Sequence, residues 1–219
     1  MRPRVLILSA AFAVGAWTPS AGQSSAAAPL RFGIIGGANF ATLGGSDVND
    51  AGTRTGLAAG LMAVLPFSPG FSLQPELMFT MKGAESTTGG ATATAKINYI
   101  EVPVLARFEI PVSGNTKPFV YGGPGFAFKT SCQFEGRAQG TTITFDCDEL
   151  TSQPGAANVK FSSTDVGAIV GGGLAFDVSG RTMTIGVRYE AGFTKLVTDT
   201  DSKNRVLSLV ATFEWPFPK

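Results

Sequence analysis

The chain has no histidine, only two cysteines, and charged side chains at just 15% of its 219 positions. Imidazole is the side chain that titrates near neutral pH, so its absence removes Ser-His and Asp-His catalytic arrangements and the usual His-containing zinc sites. No catalytic residue, metal ligand or cofactor-binding residue is assigned, and no cofactor is expected. Nor is there a run of about eighteen apolar residues, so a membrane-spanning helix is not expected. Lysine and arginine number 17 against 16 acids, a balance without the basic footprint of a nucleic-acid binder. The glycine-rich pieces Gly171 to Gly173 and Tyr121 to Gly125 fit no dinucleotide spacing and precede no helical pattern, which leaves them as strand glycines that permit curvature. Asp199, Thr200 and Asp201 lack the glycine and distal glutamate of a calcium loop.

What the chain does have is alternation. In Ile97 to Ile110, INYIEVPVLARFEI, one register presents Ile100, Val102, Val104, Ala106, Phe108 and Ile110, and the other Tyr99, Glu101, Pro103, Leu105, Arg107 and Glu109. Period two at this length is a strand, because a helix would bring residues three and four apart onto one face. Eight strands are expected, at 31–41, 55–66, 71–83, 97–110, 117–129, 163–178, 181–194 and 204–215. Their connections alternate long and short, with ATLGGSDVNDAGTR, AESTTGGATATA, residues 130–162 and VTDTDSKN as the long ones. In an up-and-down barrel this places every long loop at one end and every tight turn at the other, the asymmetry of outer-membrane barrels with extracellular loops and periplasmic turns.

The apolar faces agree with an eight-stranded antiparallel transmembrane β-barrel. Even positions from Phe32 to Phe40, and odd positions in Leu57–Leu65, Phe71–Met81, Met183–Phe193 and Leu207–Trp215, should meet lipid. Phe32, Phe71, Phe108, Phe176, Phe213 and Trp215 fall at the turn end; Phe40, Phe79, Phe126, Phe128 and Phe193 fall at the loop end, as two interfacial girdles. The fifth strand, KPFVYGGPGFAFK, is apolar on both faces and its register stays open. Pro75, Pro103 and Pro124 each remove a ladder hydrogen bond, so a bulge or local break is expected at each.

Before the barrel, Arg2 and Arg4, the apolar stretch Val5 to Ala16, Pro19 and the small residues Ser20 and Gly22 read as a secretory signal cleaved before Gln23 or a few residues later. The expected organisation is a signal peptide over 1–22, a short linker over 23–30 and the barrel over 31–217.

The polar register turns Gln74, Glu76, Lys82, Glu101, Arg107, Glu109, Arg188 and Glu190 into an interior just wide enough for side chains. Charges there must pair, since an isolated buried charge costs several kcal/mol. A closed plug of salt bridges is the leading reading, with Glu76, Glu101, Arg107, Arg188 and Glu190 as its network; a proton or ion path is the alternative, and a catalytic carboxylate pair would find no room for substrate. Cys132 and Cys147 lie in one exposed loop of an oxidising compartment, which favours a disulfide worth about 3 kcal/mol by loop-closure entropy.

The pair LQPELMFTMKG and INYIEVPVLARF, with GIIGGANFA, KPFVYGGPGFAF and a GxRYEAGF-type seventh strand, resembles the PorT-like outer-membrane β-barrel family over nearly all of the chain after the leader. That resemblance implies an eight-stranded barrel, similar in kind to OmpA, in the outer membrane of a Gram-negative-type bacterium. It implies little chemistry. The expected protein is non-enzymatic, structural or interaction-bearing through its extracellular loops. The expected partners are outer-membrane lipid and an extracellular or secretion-system protein, with no nucleic acid and a monomeric state. A small-solute or apolar-molecule transporter is the alternative. A soluble periplasmic lipocalin-like binder is disfavoured, because its charges would face water and its cavity would be apolar. If the long loop 130–162 is not itself a binding surface, the bridged segment 132–147 should form a hairpin that prolongs the fifth and sixth strands, with TTITF as a strand.

Overall fold

Alternating side chains dictate the architecture, since each strand has one face fit for lipid and one fit for a filled lumen. The structure, a computed structural model, describes residues 29–217 apart from 47, 49–50, 148, 150–160 and 198–199. The signal expected over 1–22 and most of the linker lie outside the described residues, as do Asp148, Lys160 and Asp199. The strands are β1 (Arg31–Gly44), β2 (Gly52–Ser68), β3 (Phe71–Thr88), β4 (Ala91–Glu109), β5 (Thr116–Ala138), β6 (Thr141–Asp146), β7 (Thr164–Val178), β8 (Arg181–Gly192) and β9 (Lys203–Pro216). All described pairings are antiparallel, and β1–β9 together with β4–β5 close a ring through eight strands; β6 is a ninth, paired only to β5.

Lipid-facing registers expected from sequence are the exposed ones: Leu57 and Leu61 on β2, Leu77 on β3, Ile185 and Val187 on β8, and Leu207 and Leu209 on β9. Phe32, Phe71, Phe108 and Trp215 are likewise exposed at the turn end, and Phe213 packs tilted against Trp215 with ring centroids 6.1 Å apart. The fifth strand gains a register. Phe119, Tyr121 and Ala127 are buried, while Val120, Phe126 and Phe128 are exposed. Its inward face is apolar because those rings lie against arginines: Arg107 sits 4.4 Å over Phe119 and Arg188 5.3 Å over Tyr121. Gly171 makes room for this, since a Cβ there would lie 2.7 Å from the Tyr121 ring.

One expectation needs correction. AESTTGGATATA is not an open loop: β3 and β4 continue through it in unbroken register, Gly83↔Lys96 to Thr88↔Ala91, and turn on Gly89 and Gly90, both at positive φ. Threonine and alanine satisfy a ladder without needing an apolar face, so the strand outruns its hydrophobic signal. For the loop 130–162 the hairpin reading fits: β5 runs to Ala138, turns at Gln139-Gly140 and returns as β6, which includes TTITF. The prolines produce breaks and no bulges. Pairing lapses for two residue pairs beside Pro75 (β2–β3), Pro103 (β3–β4) and Pro124 (β4–β5), with the same register resuming on the far side. True register shifts occur elsewhere, between Thr53 and Ala58 and between Pro66 and Ser68 on β2, and between Asn98 and Tyr99 on β4.

Candidate functional site

Glu76, Glu101, Arg107, Arg188 and Glu190 all face the lumen and are buried. Alternation on β3, β4 and β8 sets them at different heights, and the ring closure brings strands distant in sequence together. At mid-height Arg188 grips Glu76 with both terminal nitrogens, Nη2 to Oε1 at 2.6 Å and Nη1 to Oε2 at 2.8 Å, and its Nε donates to the Tyr121 hydroxyl at 3.2 Å. Gln74 links this pair to the next layer, donating to Glu76 at 2.7 Å and accepting from Arg107 at 3.1 Å. Arg107 reaches Glu214 at 2.9 Å and Glu109 at 3.1 Å, and Arg31 closes the turn end on the same two acids at 2.9 and 2.8 Å. Towards the loop end, Lys82 bridges Glu101 at 2.8 Å and Glu190, and Asn204 donates to Asp165 at 2.7 Å.

Glu214, Arg31, Asp165 and Asn204 were absent from the sequence-based network. For Glu214 a signal existed, because it sits between Phe213 and Trp215 in the polar register of a strand whose apolar register was clear. Asp165 and Asn204 lie on β7 and β9, with β8 between them; they meet because Gly192 adds no side chain where a Cβ would come 3.0 Å from Asp165. No feature of sequence spacing announces that contact.

Above the charges the lumen is capped by an apolar cluster: Ile97, Tyr99, Ala127, Cys132, Cys147 and Leu196, with Phe134 and Phe161 packed on it. Cys132 and Cys147 are bonded, with Cα atoms 5.4 Å apart. The bond is therefore buried in this cap, not held in an exposed loop. Phe134 and Phe161, aromatics of the long loop 130–162, stack tilted at 5.7 Å within it, whereas Phe145 is exposed.

Beyond the cap, the upper ends of β3, β4 and β5 together with β6 form a sheet that overhangs one side of the barrel. From Ile100 at the loop-end girdle to Ala91, the strand rises about 30 Å along its own axis at ~3.3 Å per residue. The inner face of this overhang holds a groove of about 460 Å³ lined by Ala91, Ala93, Ala138, Ile143 and Phe145 among others. All of β6 is exposed, including Ile143 at 52%, and its outer edge pairs with no described strand. On the opposite face Lys96 donates to Glu135 at 2.6 Å, which holds that carboxyl below the usual carboxylate range. At the base of the last long loop, Asp201 accepts from Lys203 at 2.6 Å and from the Ser46 amide at 3.2 Å, and these bonds hold its pKa down to about 2. Among the described residues no group of three or more acids, cysteines or histidines could hold a metal ion.

The chain matches the family described as "Outer membrane protein beta-barrel domain" over residues 21–198. No curated protein matches it. Similar solved structures include Neisserial surface protein A, at 14% identity over 85% of this chain and 97% of that one with a TM-score of 0.49. OprG from Pseudomonas aeruginosa matches at 9% identity, over 87% and 98% of the two chains, with a TM-score of 0.49. Ail, the attachment invasion locus protein of Yersinia pestis, matches at 14% identity over 86% and 100%, with a TM-score of 0.44.

Proposed function

The chain belongs to the outer membrane protein β-barrel domain family, and from that premise we propose that it is a non-enzymatic barrel whose work is to hold out the overhanging sheet for an extracellular protein partner. The observation that carries this reading is the free edge of β6. Six exposed residues in a row present, on the edge away from β5, backbone groups that pair with no described strand, with Ile143 and Phe145 turned into the adjoining groove. An extended segment of a partner could add a strand there, with backbone hydrogen bonds giving affinity and the groove giving choice of side chain. Cys147 bonded to Cys132 fixes the far end of β6 to the barrel, so the edge is preorganised and less ordering entropy opposes binding. Within the family, the strand pair built on Gln74-Pro75-Glu76-Leu77 and Tyr99-Ile100-Glu101-Val102-Pro103 favours a PorT-like member, for which a component of a secretion system would be one kind of partner; the barrel itself is proposed to be a monomer.

The test compares cells displaying the parent with cells displaying the Ile143→Asp/Phe145→Asp double variant, for adhesion to immobilised matrix protein and for crosslinking to neighbouring envelope proteins. The variant should fold and lose the interaction; equal binding by both sinks the proposal. The transporter reading requires the arginine–glutamate layers to part. Stable, ion-selective conductance from purified parent in planar bilayers would favour it over ours.

A further inference from the structure

A second groove, of about 440 Å³, lies where β2 to β5 rise out of the lipid zone; Arg54, Lys96 and Arg137 are its cations, Glu85 and Glu135 its acids, and four threonines supply hydroxyls. Register fixes the side of its β3 to β5 wall. Ile100 faces lipid, and from Met78↔Glu101 the pairing of β3 with β4 continues without shift to Thr88↔Ala91. Lys96 and Thr94 therefore stand on the same outward face as Ile100, with Glu85 opposite Thr94 on one side and Glu135 opposite it on the other. On β2, Thr55 is paired with Phe40 of the loop-end girdle. The groove begins at the last aromatics of the wall and rises from them towards Thr92 and Arg137, so its lower end, at Thr55 and Lys96, lies in the layer of lipid headgroups.

Arg54 sits here because the sheet is interrupted. Between Thr53 and Ala58 the register of β2 slips against β3, and Gly83 on the facing strand has φ +132°. At this break Arg54 Nη1 donates to the Lys82 carbonyl oxygen. A side chain at Gly83 would be strained at that φ, and its Cβ would lie 3.4 Å from the same nitrogen. The other charges are occupied: Lys96 and Arg137 both reach Glu135, at 2.6 and 3.5 Å, and Glu85 accepts from Thr94 at 3.2 Å. Arg54 is half-buried and pairs with no carboxylate among the described residues. An arginine withdrawn from water without a counter-ion, beside threonine hydroxyls, is a seat for an oxyanion.

We propose that this groove binds the phosphate of an outer-leaflet lipid headgroup, which holds one anionic lipid against the outer wall at the foot of the overhang. The proposal is separate from the partner reading, because Arg54 and Lys96, which carry it, line only this groove, whereas Thr92 and Arg137 border both. Spin-labelled phosphatidic acid and spin-labelled phosphatidylcholine, added separately to the refolded full chain in phosphatidylcholine bilayers, report how strongly each is retained at the protein surface. The parent should prefer phosphatidic acid about fivefold, the change one arginine or lysine brings beside anionic lipid. Arg54→Gln should abolish the preference, Arg54→Lys should keep most of it, and Arg181→Gln at the turn end should leave it intact. If Arg54→Gln does not fold, Lys96→Gln/Arg137→Gln supplies the reading and should lower the preference. A parent with no preference, or one unchanged in every groove variant, overturns the proposal. Inorganic phosphate gives the remaining arm: loss of the preference at phosphate concentrations where equal ionic strength of chloride has no effect would assign the groove to free phosphate and overturn its lipid source.

Discussion

Removing one partner of the Arg188–Glu76 pair is the sharpest test of the closed interior. The Glu76 side chain is fully buried and Arg188 nearly so, and the contact is a double, charge-assisted one. Hydrogen bonds to charged groups contribute about 1.5–3 kcal/mol each, so losing two predicts a cost of about 3–6 kcal/mol, which covers the range of about 3–5 kcal/mol found when one charge of a buried pair is stranded. Arg188→Met strands Glu76 with only the Gln74 amide at 2.7 Å, and Glu76→Leu strands Arg188 with no carboxylate, leaving it the Tyr121 hydroxyl at 3.2 Å and the Met78 sulfur at 3.4 Å. The double variant strands no charge. It leaves Gln74 and Tyr121 each short of one partner, and its cost should be about 2–4 kcal/mol at ~1–2 kcal/mol per orphaned polar group. The two singles together should therefore exceed the double by several kcal/mol. Urea unfolding from lipid vesicles, followed by fluorescence of Trp215 at the end of β9, measures each corner of the cycle. Singles within about 1 kcal/mol of the parent, or a double equal to their sum, would refute a dry, mutually paired lumen.

Three further outcomes are expected. Leu77→Arg and Val187→Arg each place a cation on the lipid face and should lose about 2–4 kcal/mol of folding free energy in bilayers; variants that fold like the parent in vesicles would show that the faces are misassigned. Peptide mapping without reduction should find Cys132 joined to Cys147, and Cys132→Ser/Cys147→Ser should cost about 3 kcal/mol while freeing the amides of β6 to exchange; two free thiols in protein taken from outer membranes would contradict the fold of the cap. Because the folded pKa of Asp201 is depressed to about 2, its contribution is present above the ordinary carboxylate pKa of ~3.9 and is lost as pH falls from there through 2. Amide exchange around Ser46 and Ser202 should therefore quicken over that window, and Asp201→Asn should remove the dependence.

Sequence periodicity revealed those parts of the barrel where one face is lipid and the other polar. On β8, Val187 and Tyr189 alternate with Arg188 and Glu190, and two solvents of opposite character write themselves into neighbouring positions. The fifth strand defeated this logic because its inward Phe119 and Tyr121 serve as flat platforms for arginines, so both of its faces are apolar. The overhang defeated it for the opposite reason: in TATAK neither face of β4 meets acyl chains, and threonine and alanine carry no contrast. The Gly89-Gly90 pair was nevertheless a hairpin signal in plain view. Polar contacts across the lumen, such as Asn204 with Asp165, depend on how many strands lie between their owners and on where the ring closes; a linear pattern contains neither.

The two glycine-bearing turns at the top of the overhang, Gly89-Gly90 and Gln139-Gly140, have a bearing on how such a protein can change over generations. Each closes a hairpin far from any residue that seals the ring, and a Cβ at Gly89, Gly90 or Gly140 would meet open space. Insertions at exposed hairpin tips are tolerated because they alter no register below them. Below that point the wall is inflexible, since one residue added to β3 or β4 would turn Glu76 or Glu101 towards the acyl chains. Selection by a host or a rival can therefore rewrite the crest freely while the stave beneath it stays constant, and the same two turns are where a foreign epitope could be grafted for display on living cells.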